Sequence, residues 1–233
     1  MTRICTITVR AGSQGVPGKN WRPLHGLPLY AHSVRHAVQS GLFERIAVTS
    51  DAPEVLERAE EFGATDVINR PKDLASNSAG KIPAIVHAVL AVEESVGHPF
   101  STVVDLDATS PLRIPEDVAG AIAMLERNHL ESVITGTEAH RSPYFNLVEV
   151  DPVTGVVDVS KRVGDGFLRR QDVPRSFDMN ASVYVWDRDA LVGDPKVFYP
   201  TTRLYEMPPE RSHDIDSELD FQIVNWIMGA RKD

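Results

Sequence analysis

An α/β fold is what this sequence predicts: a mostly parallel sheet with helices on both faces. Short apolar runs rich in β-branched residues recur along the N-terminal half, segments of helical periodicity separate them, and the links between them are short, the pattern of repeated βαβ units. The first run, Arg3–Val9 (R-I-C-T-I-T-V), is apolar almost throughout, as a strand buried on both faces is, and a glycine-dense loop follows it directly. Residues 29–38 have helical spacing, 45–49 (R-I-A-V-T) read as the next strand, and 53–62 (P-E-V-L-E-R-A-E-E-F) read as a helix stopped by Gly63. A short strand at 66–68, a helix at 81–94, a strand at Thr102–Leu106 and a helix at Pro115–Asn128 with proline in its first turn continue the alternation.

After about residue 138 the pattern changes. Residues 145–150 and 155–159 alternate without a helix between them, and 162–177 are polar and rich in Arg, Gly and Asp. An antiparallel arm over 138–178, inserted in a single domain spanning 1–233, is therefore expected. Strand character returns at 181–186, and an amphipathic helix at 217–230 closes the chain, with Leu219, Ile223, Trp226 and Ile227 on one face.

Of 233 residues, 24 are Lys or Arg and 33 are Asp or Glu, a formal net charge of −9, and 42% are hydrophobic. That balance suits one globular domain and argues against a generic nucleic-acid coat or an anionic-membrane binder, both of which need basic surface. The single cysteine, Cys5, rules out an intrachain disulfide or a multi-cysteine metal site and reads as a core residue in a reducing compartment. No apolar run approaches the roughly 18 residues needed to span a bilayer, and Arg10 interrupts the apolar start where a signal peptide would continue. A soluble, cytoplasmic protein without nucleic-acid or membrane partners is the expectation.

Four segments could carry chemistry. In R-A-G-S-Q-G-V-P-G-K-N (10–20), three glycines and Ser13 directly after a strand allow backbone N–H groups to face a phosphate, with Arg10 and Lys19 supplying positive charge at the two ends. Gly12 and Gly18 enclose five residues rather than the four of a Walker A loop, and Asn20 rather than Ser or Thr follows Lys19. The spacing G-x-x-G-x-x-G is not the dinucleotide fingerprint either. The plainer alternative is a turn-rich connector with solvated charges.

The second segment is H-D-I-D-S-E-L-D (213–220). Asp214 and Asp216 bracket Ile215, so in extended backbone both carboxylates point to one side, a spacing suited to one hard cation. Capping competes with this reading: Asp216 or Ser217 can cap the last helix, with Glu218 and Asp220 favoured at its N-terminus. The third is D-L-D-A-T-S-P-L-R (105–113), at the end of a predicted central strand, where ligands of open α/β sheets bind. Its D-x-D pattern also fits metal-dependent, GT-A type glycosyltransferases, and Thr109, Ser110 and Pro111 fit a turn equally well. The fourth, R-R-Q-D-V-P-R-S-F-D-M-N-A-S-V-Y (169–184), concentrates Arg169, Arg170 and Arg175 beside Gln171 and Asn180, which suits a carboxylate-bearing polyol, a solvated basic face or a dimer contact. The histidines show no ligand spacing.

Taken in this order along nearly the whole chain, the four segments resemble the CMP-sialic acid synthetases, the N-acylneuraminate cytidylyltransferases and their nonulosonate relatives. Arg10, Gly12, Ser13, Gly15, Lys19 and Asn20 match the family's loop R-x-G-S-K-G-x-x-x-K-N, with Gln14 where the family has Lys. Residues 70–76 match R-P-x-x-L-A-S, and T-S-P-L-R is present at 109–113. Arg170 and Gln171 match the R-Q element, Asn180 and Tyr184 the N-x-x-x-Y element, and H-D-I-D-S-E-L-D the family's acidic block. Asp107 stands where members handling N-acetylneuraminic acid have Gln, and Phe145 where they have Lys; the wording D-L-D-A-T-S and F-D-M-N-A-S is closer to legionaminic acid members.

The resemblance implies a Rossmann-like nucleotidyltransferase fold and transfer of CMP from CTP to the anomeric hydroxyl of a nonulosonic acid, with release of pyrophosphate. Arg10, Lys19, Asp214 and Asp216 would be catalytic, with Mg²⁺ (or Mn²⁺) on Asp214 and Asp216. Arg10, Ala11, Gly12, Ser13, Gly15, Lys19, Asn20, Arg70 and Ala79 would bind the nucleotide. Asp107, Thr109, Ser110, Arg170, Gln171, Asn180, Tyr184 and Phe198 would serve the sugar acid. The arm would exchange between subunits of a homodimer, bringing Phe198 near the partner's sugar pocket. A GT-A type glycosyltransferase and a catalytically silent nucleotide-binding module are the alternatives; loss of Lys19 or of the Asp pair would mark the latter, and neither is lost.

Overall fold

A computed structural model describes residues 1–12, 16, 18–76, 79–162 and 172–231. In chain order, β1 (Arg3–Val9) leads through a small ribbon, β2 (Pro23–Leu24) and β3 (Leu27–Pro28), to α1 (Leu29–Ser40), β4 (Arg45–Ser50), α2 (Pro53–Leu56) and β5 (Asp66–Asn69). Then follow α3 (Lys72–Ala75), α4 (Lys81–Val96), β6 (Thr102–Leu106), α5 (Pro115–Asn128) and β7 (Ser132–Glu138). The hairpin of β8 (Val148–Val150) and β9 (Val157–Val159) precedes the long β10 (Phe177–Asp187), α6 (Arg188–Gly193), β11 (Arg203–Glu206) and α7 (Glu218–Ala230).

Seven strands form one sheet in the order β11-β7-β10-β6-β1-β4-β5. Every neighbouring pair is parallel except those made by β10, which runs antiparallel to both β6 and β7. Side chains of β1 alternate between the two faces. Cys5, Ile7 and Val9 pack with Tyr30 and Val34 of α1 and Val118 and Ile122 of α5, while Ile4 packs with Ile85 and Val89 of α4 on the opposite face. Helices therefore cover both faces, as the sequence predicts, and the buried free Cys5 is a core residue. Among the described residues no helix is long and apolar enough to cross a membrane.

The elements differ from the sequence reading in several places, among them α7, whose buried side chains are Phe221 and Val224 while Leu219 and Trp226 of the expected face are exposed. The helix expected over 53–62 is one α-helical turn followed by a 3₁₀ turn at Ala59–Phe62, with Arg58 at φ −117° between them. Val55 and Ala59 are buried as the spacing requires, but Glu57, Glu60 and Glu61 crowd the end of the segment where the helix dipole disfavours anions. Strands β7 and β11 are additional. Gly136 interrupts the β7 pattern, and it is glycine because a Cβ there would lie 2.8 Å from the carbonyl oxygen of Asp178. Strand β10 begins earlier than residue 181, and its register shifts between Met179 and Tyr184 around Ala181 at φ 50°.

Two ion pairs fix the C-terminal segment against this frame. Arg211 donates through Nε and Nη2 to the two carboxylate oxygens of Asp117, each at 2.9 Å. Ser217 caps α7 in a reciprocal box with Asp220, the capping alternative foreseen for Ser217, and Arg22 pairs with Glu218. Between these anchors lies residues 213–216.

Candidate functional site

Strand β1 has β4 on one side and β6 on the other, so the chain reverses its direction of sheet growth there and a crevice opens beyond the C-terminal strand ends. A cavity of about 520 Å³ occupies this position. Arg10, one residue past β1, Arg70, just past β5, Asp107 and Thr109 past β6, and Lys19, Asn20, Ala79, Asp214 and Asp216 all line it.

The loop after β1 is tied down at its base. Asp51 Oδ1 accepts the Ala11 N–H at 2.8 Å, and Asn20 Nδ2 donates to the Arg10 carbonyl at 3.1 Å. Asn20 thus shapes the loop with its own side chain. Lys19 is 7% exposed, and its ammonium donates to the Ile215 carbonyl and lies 3.3 Å from Asp216 Oδ1. Ile215 itself is fully buried among Leu24, Leu29 and Leu112, and its N–H donates to the Thr109 carbonyl at 2.9 Å. With Ile215 pinned in the core, Asp214 and Asp216 both reach the cavity. Burial raises the Asp214 carboxyl above its ordinary range, and the Asp216 charge raises it further.

Arg70 is 7% exposed, donates through Nη2 to the Thr49 carbonyl at 3.0 Å, and has a buried Nε without a hydrogen-bond partner among the described residues. A buried guanidinium with a spare donor at a cavity wall is prepared for a polar ligand. The T-S-P-L-R block is held from behind: fully buried Arg113 donates to Ser182 Oγ at 3.0 Å, to Ser33 Oγ at 2.8 Å and to the Asp107 carbonyl, and burial lowers its guanidinium to about 10.

The D-x-D pair is occupied. Lys81 Nζ lies 2.6 Å from Asp105 Oδ2 and 2.7 Å from Asp107 Oδ2. Thr6 Oγ1 donates to Asp105 Oδ1, and the Thr109 N–H and Oγ1 donate to Asp107 Oδ1, all at 2.8 Å. Burial works to raise Asp107, but Lys81 and Thr109 outweigh it and hold the carboxyl well below the ordinary range. With Asp105 wholly buried and both carboxylates in contact with one lysine, this is not an open metal motif, which removes the structural basis for the glycosyltransferase alternative.

The structure does not bring every predicted residue to the cavity wall. Ser110 is buried with its hydroxyl 3.4 Å from the Asn180 carbonyl. Asn180 is spent internally, Oδ1 accepting from Thr135 Oγ1 at 2.7 Å and Nδ2 donating to Ser212 Oγ at 3.1 Å. Tyr184 is buried and stacked on Trp186, ring centroids 5.4 Å apart. Phe198 is 62% exposed on the surface. Ser13, Gly15, Arg170 and Gln171 lie outside the described residues, as does Gln14, while exposed Gly12 continues the loop from Ala11.

The sequence profile of the cytidylyltransferase family matches residues 4–222. The chain belongs to that family. Post-translational flagellin modification protein B of Campylobacter coli is 40% identical over 225 residues, 97% of this chain and 94% of that one. CMP-N,N'-diacetyllegionaminic acid synthase of Campylobacter jejuni is 38% identical over 228 residues, 98% and 95% of the two chains. The solved structure of CMP-2-keto-3-deoxy-manno-octonic acid synthetase complexed with CTP has the same fold, at a TM-score of 0.72 and 17% identity over 98% of this chain and 99% of that one. The protein is thus a nucleotidyltransferase of the cytidylyltransferase kind.

Sequence reasoning missed several residues of the cytidylyltransferase cavity. Lys81 was visible only as the start of a helix, yet a cation in the first turn of a helix opposes the dipole, and such a local mismatch marks a position chosen for something else. Asp51, directly after β4 as Asp107 is after β6, was missed as the residue that holds the loop after β1 through the Ala11 N–H. Ala181, a non-glycine residue at φ 50° that also lines the cavity, leaves no trace in the sequence, because strain of this kind is set by the register shift around it.

Proposed function

We propose that this enzyme transfers CMP from CTP to the anomeric hydroxyl of a nonulosonic acid of the N,N'-diacetyllegionaminic kind. The observation that supports this reading most is the convergence of Arg10, Lys19 and Arg70 with Asp214 and Asp216 on one cavity at the sheet's switch point. The likeness to a CMP-N,N'-diacetyllegionaminic acid synthase over nearly the whole chain supports the sugar class. In the reaction the hydroxyl oxygen attacks the α-phosphorus, the bond from that phosphorus to the bridging oxygen of pyrophosphate breaks, and the hydroxyl proton is released to water. Little covalent work falls to the protein, so positioning and charge stabilisation dominate.

Arg10 and Lys19 would offset the charge that builds on the transferred phosphoryl group and the departing pyrophosphate, and Arg70 with the backbone at Ala79 would hold the cytosine. Asp107 and Thr109 would border the sugar acid, and Arg170 would take its carboxylate. Asp214 and Asp216 fit Mg²⁺ or Mn²⁺ by their chemistry: two hard oxygen donors, one of them raised by the other's charge, with no larger cluster of ligands among the described residues, as suits a cation held largely through substrate phosphates. Such an ion, when bound, neutralises phosphate charge and lowers the pKa of the attacking hydroxyl. The hairpin β8–β9, with Val148, Val150 and Val157 exposed, supports the arm at 138–178 as a homodimer contact, and a cytoplasmic location goes with the nucleotide substrate.

The test is pyrophosphate release across a panel of CTP, ATP, GTP and UTP against N,N'-diacetyllegionaminic acid, N-acetylneuraminic acid and other nonulosonic acids. Release with CTP and the legionaminic sugar above all other pairs is expected. Release without any sugar acid, or equal use of all four nucleotides, would refute the assignment.

A further inference from the structure

The proposed reaction needs a wall that reads the sugar acid, yet Ser110, Asn180 and Tyr184 turn into the interior. Beside Asp107 and Thr109, Lys81 reaches the cavity. Its side chain is 30% exposed, while those of the two carboxylates it bridges are 0% and 19% exposed, and its Nζ lies 5.4 Å from the centre of the Tyr184 ring. Both Asp107 oxygens are engaged: Oδ2 accepts from Lys81, and Oδ1 accepts both Thr109 donors. Lys81 carries three N–H donors: one is donated to Asp107 Oδ2, Asp105 Oδ2 stands in ion contact at 2.6 Å without making a hydrogen bond, and at least the third donor meets no acceptor among the described residues.

Resting on the reaction proposed above, we infer that Lys81 donates this third hydrogen bond to a neutral acceptor oxygen of the sugar acid, an N-acyl carbonyl, and so determines sugar specificity in place of Asp107. The acceptor is neutral because two carboxylates already face the same nitrogen, and a third carboxylate would be repelled by both. A carbonyl brings no charge and replaces the water that an exposed ammonium otherwise keeps. Asp105 and Asp107 hold the ammonium in one orientation, and the Tyr184 ring supports it from the interior side.

Lys81→Met keeps the length of the side chain and removes every donor; combined with Asp105→Asn it leaves no charged carboxylate at the fully buried position 105, while Asp107 keeps both Thr109 donors. In steady-state pyrophosphate release with CTP and N,N'-diacetyllegionaminic acid, this double variant should raise KM for the sugar acid by about tenfold or more. KM for CTP should stay within about twofold, since the nucleotide is held elsewhere in the cavity. An unchanged sugar KM, or a parallel rise in both constants, overturns the inference. If the double variant does not fold, Lys81→Arg retains a charge for both carboxylates but moves the donor, and the same split between the two KM values is expected; equal values refute it. A wild-type enzyme that releases no pyrophosphate from CTP with this sugar overturns the proposed reaction and the Lys81 inference together, whereas an active wild type with an unaltered variant overturns Lys81 alone.

Discussion

Replacing Arg211 with alanine should cost about 3 kcal/mol of stability and loosen the segment that presents Asp214 and Asp216. Asp117 is 1% exposed and accepts two charge-assisted bonds from Arg211 at 2.9 Å, plus the Ile114 N–H at 3.1 Å. Removing one member of a buried pair typically costs about 3–5 kcal/mol, because the other charge is left in a medium that solvates it poorly. Two features place this pair at the low end: the Arg211 side chain is 25% exposed, so water can enter the space it leaves, and the Ile114 bond survives. Urea denaturation followed by circular dichroism measures the loss, and the double variant Arg211→Ala/Asp117→Asn supplies the control. With the carboxylate neutralised, the double variant should recover at least about half of the lost stability. A cost below about 1 kcal/mol, or a double variant less stable than the single one, would refute the assignment of a buried, paired carboxylate at the base of this segment.

Lys19→Ala should leave the circular dichroism spectrum unchanged and lower turnover by about 10² or more, as loss of one preorganised charge contact does; turnover like that of the wild type would remove Lys19 from the reaction. Asp216→Asn should raise the Mg²⁺ concentration needed for half-maximal pyrophosphate release, and an unchanged titration would leave Asp216 only as the partner of Lys19. Burial lowers both His32 and His36, the latter to about 3, with Arg113 adding to the effect on each and the His32 charge adding to that on His36. The folded state therefore takes up fewer protons than the unfolded chain, and stability should fall as pH drops below about 6.5, by at most about 1.4 kcal/mol per pH unit for each histidine; urea midpoints at pH 7 and 5 that coincide would contradict this.

The alternation of strands and helices, the antiparallel pairing of β8 and β9 and the capping of α7 were all legible, because each follows from local periodicity or from a short-range hydrogen bond. Strand β11 was not: R-L-Y-E is too short to show alternation, and it is a strand only because β7 lies beside it. The same distinction runs through the candidate site. Arg10, Arg70, Asp107 and Asp214 stand at strand ends or in extended backbone, where spacing alone predicts the direction of the side chain. Asn180 and Ser110 belong to recognisable segments, but their side chains were claimed by Thr135, Ser212 and backbone across the sheet, and such long-range partners cannot be read from spacing.

A net charge of −9 and a proposed pair of anionic substrates are compatible because the two quantities act over different distances. Exposed charges are screened over about 8 Å at physiological ionic strength, so most of the acidic surface does not reach the cleft. Many of the arginines outside it are already matched: Arg3 with Glu126, Arg45 with Asp66, Arg188 with Glu93, and Arg211 with Asp117. Among the cations that line the cavity, Arg10 and Arg70 form no salt bridge with any described residue, and Lys19 meets only the largely exposed Asp216. Lys81 is the exception, and it is matched twice. The cleft thus has two kinds of cation: Arg10, Arg70 and Lys19, with no salt-bridge partner among the described residues or only a largely exposed one, suited to a triphosphate whose charge must be neutralised, and one over-neutralised lysine that can offer a hydrogen bond without attracting an anion. On the proposed reaction, that division would separate a nucleotide side from a sugar side within a single cavity, and it follows from the pairing of individual side chains rather than from the balance of the whole chain.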